Sequence, residues 1–232
     1  MAFIIPGSVE VAATAIVQAV RAFPARYHRH FASVRTLGVH WLSNPCESTA
    51  EPLAHDLERV LPHWGAGKRL AAEVQPFPML METLTSGPFI EAMLNLRDAQ
   101  GHLDADQVAA ALSIINGGMV TSERTFLYSQ KTLMLIAGTG PCLDSQVRQG
   151  LRRLNLRGFS SPYVACRVLH MNMAADQWSR DQRDAIAYAA QQDQTVSRIV
   201  ELQSPARLID VILFVGGGTL QWENRVPVGA CA

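Results

Sequence analysis

Tyr128-Ser129-Gln130-Lys131-Thr132-Leu133-Met134-Leu135-Ile136-Ala137-Gly138-Thr139-Gly140-Pro141-Cys142-Leu143-Asp144-Ser145-Gln146-Val147-Arg148 is the stretch whose punctuation decides the fold. It sets a lysine at the head of an apolar run, breaks the run with a glycine-proline loop, and opens the next segment with an aspartate. An apolar run ended by glycine and followed by proline reads as a buried helix, because glycine accepts the left-handed turn that stops a helix and proline cannot continue one. Asp144 stands where a short side-chain oxygen accepts from the first free amides of a new helix. The stretch therefore predicts two helices reversed across a loop.

The same punctuation recurs toward the amino terminus. Ser8 caps a helix carrying Val11, Ala15, Ile16, Ala19 and Val20, which Pro24 closes, and a second is predicted from Pro24 to about Leu37. A loop over Ser43 to Thr49 precedes Leu53, Leu57, Val60 and Leu61 at helical spacing, with Gly65 and Gly67 as the stop. Pro76 and Pro78 separate short segments over 68–74 and 79–84, and Ser86-Gly87-Pro88 opens a helix to about Leu96. Asp104 and Asp106 precede Val108, Ala111, Leu112 and Ile115, a helix that Gly117-Gly118 is predicted to terminate.

Toward the carboxyl terminus, helices are predicted over 124–137, 145–156, 162–173, 180–191 and 205–215. Only short strands fit elsewhere, at Val196 to Leu202 or around Leu220-Gln221-Trp222. The expected fold is all-α, a two-lobed helical bundle forming a single domain over 1–232, with 217–232 as an irregular tail.

Composition removes several function classes. Cys46, Cys142, Cys166 and Cys231 form no C-x-x-C unit, which argues against a zinc ribbon, an iron–sulfur cluster or a dithiol centre. His28 and His30 fall on different helical faces and no H-E-x-x-H unit occurs, so neither metal nor cofactor is expected. Gly138-Thr139-Gly140-Pro141 lacks the ending of a phosphate loop, and Gly216-Gly217-Gly218 follows a helix where a nucleotide cradle would precede one. The longest apolar runs, Leu133 to Ala137 and Leu208 to Val215 with Asp210 inside it, are too short to span a bilayer, and no signal segment is read at the amino terminus. A cytoplasmic monomer is expected. His40-Trp41 and His63-Trp64-Gly65 read as core packing ahead of a base-stacking pocket.

Twenty basic residues balance twenty acidic ones, so only local asymmetry can argue for a nucleic-acid partner. Arg124, Lys131, Arg148, Arg152, Arg153, Arg157 and Arg167 share a stretch in which Asp144 is the sole acid. Arg148 and Arg152 lie near one helical face with Arg153 and Arg157 beside it, a layout that suits backbone phosphates. A second acid-free stretch holds Arg21, Arg26, His28, Arg29, His30 and Arg35. Burial strips an ammonium of hydration and favours the neutral, nucleophilic amine, which makes Lys131 a candidate nucleophile. An ionised Asp144 near a sugar could stabilise positive charge developing on C1′.

Lys131-Thr132, the apolar run, Pro141, Asp144-Ser145-Gln146-Val147-Arg148 and Leu151-Arg152-Arg153-Leu154 together resemble the signature of helix-hairpin-helix DNA glycosylases. The resemblance covers about a tenth of the chain. It implies an all-helical, two-lobed fold that excises a damaged or modified base from a nucleotide flipped out of double-stranded DNA. Lys131 would be the amine that attacks C1′ in bifunctional members, and Asp144 the carboxylate shared across the family. Gln130, Ser145, Arg148, Arg152, Arg153 and Arg157 would contact DNA. The family's hairpin glycines are missing from Thr125 to Gln130, and the Lys131 to Asp144 interval is short. The substrate stays open between an oxidised or alkylated base and a bulky phage-modified base, the latter implying phage defence. A non-catalytic helical protein-binding or regulatory module is the alternative.

Overall fold

The computed structural model describes residues 2–64, 73–98, 103–121, 127–154 and 164–223. Among these, helices dominate: α1 (Val9–Ala22), α2 (Ala25–Ser43), α3 (Glu47–Trp64), α4 (Phe77–Thr85), α5 (Gly87–Asp98), α6 (Ala105–Met119), α7 (Leu127–Thr132), α8 (Ser145–Arg153), α9 (Val164–Asp181), α10 (Arg183–Gln192), α11 (Gln194–Glu201) and α12 (Arg207–Phe214). A π-helical turn, Leu133–Ala137, continues α7 directly. Among the described residues the regular structure is helical apart from a two-stranded antiparallel ribbon, β1 (Ala2–Ile4) with β2 (Gln221–Glu223), in register Phe3 to Trp222, and an isolated bridge between Val74 and Val120. The expected irregular tail is thus partly a strand, and its remainder over 224–232 lies outside the described residues.

Local capping explains most starts. Ser8 accepts from the amide of Val11, and Asp104 makes a reciprocal pair with Gln107 in which each side chain bonds the other's backbone N–H. Both satisfy amides that the first helical turn leaves free. Pro24 separates α1 from α2, which runs past the expected Leu37 to Ser43 and takes His40-Trp41 into its last turns. Trp41 is fully buried, its indole N–H donating to the carbonyl of Leu84 at 3.1 Å.

Two expectations are corrected. Val196 to Leu202 is the helix α11 in place of a strand: Asp193 caps the amides of Thr195 and Val196, and Val196 and Ile199 face the core at helical spacing. Gly117-Gly118 does not end α6, which continues to Met119. Gly118 is there for close approach instead, since a Cβ at that position would meet Thr83 Cγ2 at 2.4 Å.

The buried residues form one contiguous cluster, and α12 runs through it. From Arg207 to Leu213 every residue of this helix is buried, so it packs on all sides. Helix α8 lies against it so closely that a Cβ on Gly150 would sit 2.2 Å from the carbonyl oxygen of Leu213. Similarly α2 meets the π turn backbone to backbone, where a Cβ on Gly38 would fall 2.6 Å from the Ile136 carbonyl oxygen. Arg35, buried at 5% exposure, reinforces this joint: its guanidinium donates to the carbonyls of Ile136 and Leu202 and to Ser204 Oγ. Burial pulls its pKa down to about 10. Arg35 thus belongs to the interior and not to the basic surface that its stretch of sequence suggests.

Candidate functional site

The π turn ends at Gly138, which adopts φ of 70° and returns its N–H to the carbonyl of Met134. A glycine is required in this left-handed conformation, and a side chain there would also collide with Ser204 Oγ. The loop then reverses to Asp144, whose Oδ1 accepts from the amides of Gln146 at 2.9 Å and Val147 at 3.0 Å and so starts α8. Gln130 holds the reversal shut, its Oε1 accepting from the amide of Leu143 at 2.8 Å. Gln130 is buried, a correction to its expected place on a DNA-contacting surface. An amide side chain is needed inside the hairpin because the loop's backbone donor would otherwise be orphaned.

This reversal brings Lys131 and Asp144 to the wall of one cavity of about 170 Å³. Phe23, Tyr27, Trp64 and Phe214 supply aromatic walls, while Met134, Cys142 and Asp210 complete the interior and Ser145 and Gln146 add the first turn of α8. Lys131 is only 4% exposed, and its Nζ donates to the carbonyl of Trp64, the last residue of α3. That carbonyl is one of those the end of a helix leaves without an internal partner, and the negative helix end favours a cation there. Lys131 and Asp144 therefore each serve a helix terminus. Between them they leave the second carboxylate oxygen of Asp144 uncommitted to these caps.

A second charged pair lies behind the cavity. Arg207 is completely buried and forms an ion pair with Asp210, one helical turn on. Asp210 also accepts from the amide of Cys142 at 2.9 Å, tying α12 to the loop before Asp144. The guanidinium is boxed by rings, its centre 5.1 Å from Phe23, 5.5 Å from Phe31 and 5.3 Å from Trp64. Ring faces attract a cation, which explains why two guanidinium nitrogens, Nε and Nη2, remain without hydrogen-bond partners among the described residues. Burial pulls Arg207 down to about 9, with the carboxylate of Asp144 among the groups acting in the opposite direction. Burial likewise pushes the Cys142 thiol up to about 12, so this cavity cysteine is not a thiolate nucleophile at neutral pH.

The remaining expected site residues divide. Ser145, Arg148, Arg152 and Arg153 are exposed on α8, and no ion pair joins the arginines to a carboxylate among the described residues. Arg153 lies back over the turn after α12, where a Cβ on Gly216 would come within 2.7 Å of its Nη1. Arg157 lies outside the described residues, as do Arg124 and the Thr125-Phe126 part of the hairpin.

The sequence reading missed Arg207, Phe23, Tyr27 and Phe214, and it favoured core packing for Trp64. Arg207 and Asp210 at i and i+3 flanking an apolar run were the available signal, because opposite charges so spaced on a buried helix can neutralise each other. Among the described residues no group of three or more His, Cys, Asp or Glu could hold a metal ion, and no helix is long and apolar enough to cross a membrane. No known protein family, curated protein or solved structure matches the chain.

Proposed function

We propose that the chain is a DNA glycosylase that cleaves the N-glycosidic bond of a nucleotide flipped into this cavity. The observation that carries the reading is the placement of Lys131 and Asp144 on one aromatic-walled cavity, beside a helix whose arginines face solvent. Flat rings stack on an extruded base and compensate for the stacking it loses on leaving the duplex. The C1′–N bond breaks with its electron pair leaving on the base, and Asp144 stabilises the sugar cation left behind. A carboxylate fixed in advance by a helix start needs little reorganisation to do this. The departing base takes up a proton, either from the water that adds at C1′ or from the Lys131 ammonium, whose freed amine then forms the new bond there. The cavity volume of about 170 Å³ suits a flat base with small substituents, such as an oxidised or alkylated one, better than a base enlarged by a sugar; an engineered cavity of roughly 150 Å³ takes a single benzene.

The test is base release. Duplexes carrying oxidised, alkylated and glucosylated bases are incubated with the protein and probed for alkali-labile sites. At least one small-lesion duplex should be cut, and Asp144→Asn should lose that product while still binding it. A complete lack of product, or undiminished cutting by Asp144→Asn, rejects the reading in favour of a non-catalytic protein-binding module.

A further inference from the structure

We propose that His30 and His63 form a proton-dependent site for a phosphodiester group at the Tyr27–Trp64 edge of the cavity. The proposal rests on the DNA-binding reading above and extends it to a second surface. The two imidazoles lie beside each other in a tilted contact, with centroids 5.5 Å apart and planes inclined by 32°. His30 meets Tyr27 edge-on at 6.3 Å, and Tyr27 meets Trp64 edge-on at 5.1 Å. Tyr27 and Trp64 both line the cavity, so a continuous run of rings leads from exposed His63 to the place where a flipped base would stack.

The surroundings favour an anion. From α2, Arg26 lies over the Tyr27 ring with its Nη2 donating to the phenol oxygen at 3.0 Å. From α3 come Arg59, His63 and the carboxylate of Asp56, which Arg59 already engages. The π turn packed on α2 brings no titratable side chain, and Arg198 of α11 is spent on Thr36 and Glu201 farther along. Among the described residues, Arg26 and Arg59 thus outnumber Asp56 around a pair of rings whose His30 Nδ1 is buried without a hydrogen-bond partner.

Beside these arginines the His30 ring resists protonation. Burial, then the charges of His63 and Arg59, hold His30 below the ordinary histidine range. An anionic oxygen at the ring edges reverses this, because an N–H pointing to it in the ring plane becomes a charge-assisted donor. Phosphate binding is then linked to proton uptake, and affinity rises as the pH falls.

The experiment measures binding of the full-length protein to a fluorescent duplex containing a tetrahydrofuran abasic analogue, from pH 8.0 to pH 5.5 at fixed ionic strength. Wild type should bind roughly tenfold more tightly at the acid end, since each proton taken up can contribute up to tenfold per pH unit. His30→Gln/His63→Gln should be flat across the range and match wild type at pH 8.0. His63→Gln alone, at an exposed position, should lose much of the dependence without disturbing the fold. In parallel, saturating inorganic polyphosphate should raise the titration midpoints of both histidines followed by their Cε1–H resonances. Acid tightening that survives in the double variant, or midpoints unmoved by polyphosphate, overturns the site. If the duplex never binds while polyphosphate still raises both midpoints, this site stands and the glycosylase reading falls.

Discussion

Two cation–carboxylate pairs flank the same cavity and use their charges in opposite ways. Arg207 and Asp210 face each other on α12, sealed from solvent and wrapped in rings. Lys131 and Asp144 instead face helix ends, one donating to the last carbonyl of α3 and the other accepting from the first amides of α8. A pair whose members neutralise each other has little left for a ligand. A pair held apart by backbone dipoles stays polar toward the cavity, because helix ends favour each charge without consuming it. The first pair is scaffold and the second is the candidate chemistry.

Breaking the sealed pair should have the largest effect on the protein. Arg207→Met leaves the Asp210 carboxylate buried with no cation, and loss of one member of a buried pair costs about 3–5 kcal/mol. Chemical denaturation should show a fall of that size. Arg207→Met/Asp210→Leu should recover a substantial part of it, since apolar replacement of both partners removes the uncompensated charge. A double variant as unstable as the single would mean that ring packing around the guanidinium, not charge, is what α12 contributes.

The open pair should behave in the reverse sense. Asp144→Asn keeps an N-cap oxygen, so stability should fall by less than about 1 kcal/mol. Base release should drop by roughly 10²- to 10³-fold, the scale seen when one preorganised electrostatic group is removed, equivalent to about 3–4 kcal/mol. Lys131→Gln should remove any adduct trapped by borohydride. A large loss of stability in Asp144→Asn with little loss of rate would move Asp144 to the scaffold side of the comparison.

Acid should also separate the two sides. His28 meets Phe23 at a tilt, with centroids 4.9 Å apart, and its Nε2 lies against the carbonyl of Val20 at 3.0 Å. Burial pulls it down to about 4, and the Arg207 charge acts in the same direction. The folded protein therefore holds this ring neutral where the unfolded chain would protonate it. Its contribution is fully present above the ordinary histidine value near 6.5 and is lost as the pH falls toward about 4. The loss amounts to at most about 3 kcal/mol. His28→Gln should flatten the denaturation midpoint over that window; an unchanged slope would place the acid-sensitive group elsewhere.

Legibility follows how local each signal is. The caps at Ser8, Asp104 and Asp144 are readable because a short polar side chain acts within three residues of itself. That Lys131 and Asp144 line one cavity follows from the turn that Gly138 makes between them. The π turn itself leaves no compositional trace, since Leu133 to Ala137 would suit any buried helix. Gly118 reads as a helix stop unless Thr83, far away in sequence, is known to press on it. Arg35 and Gln130 look like surface residues until the carbonyls and amide they satisfy are in place. In α11, β-branched Val196 and Ile199 suggest a strand, yet the Asp193 cap and their burial on one helical face prevail.

The smallest expected effect lies on the exposed flank of the open pair. Arg148 and Arg152 are one turn apart on α8, exposed, and without a carboxylate partner among the described residues. Each would neutralise one phosphate and release its condensed counterions. Every such contact contributes about 0.9 to the slope of log affinity against log salt. Replacing both with glutamine should therefore shallow the slope by about two, leave sequence preference unchanged, and weaken binding most at low salt. Arg153 leans on the Gly216 turn, so Arg153→Gln should shift the slope by less than either. Equal effects from all three would show that Arg153 leaves its turn to reach DNA. A slope unmoved by Arg148→Gln/Arg152→Gln would remove α8 from the DNA surface and, with it, the electrostatic reason for a duplex to approach Asp144.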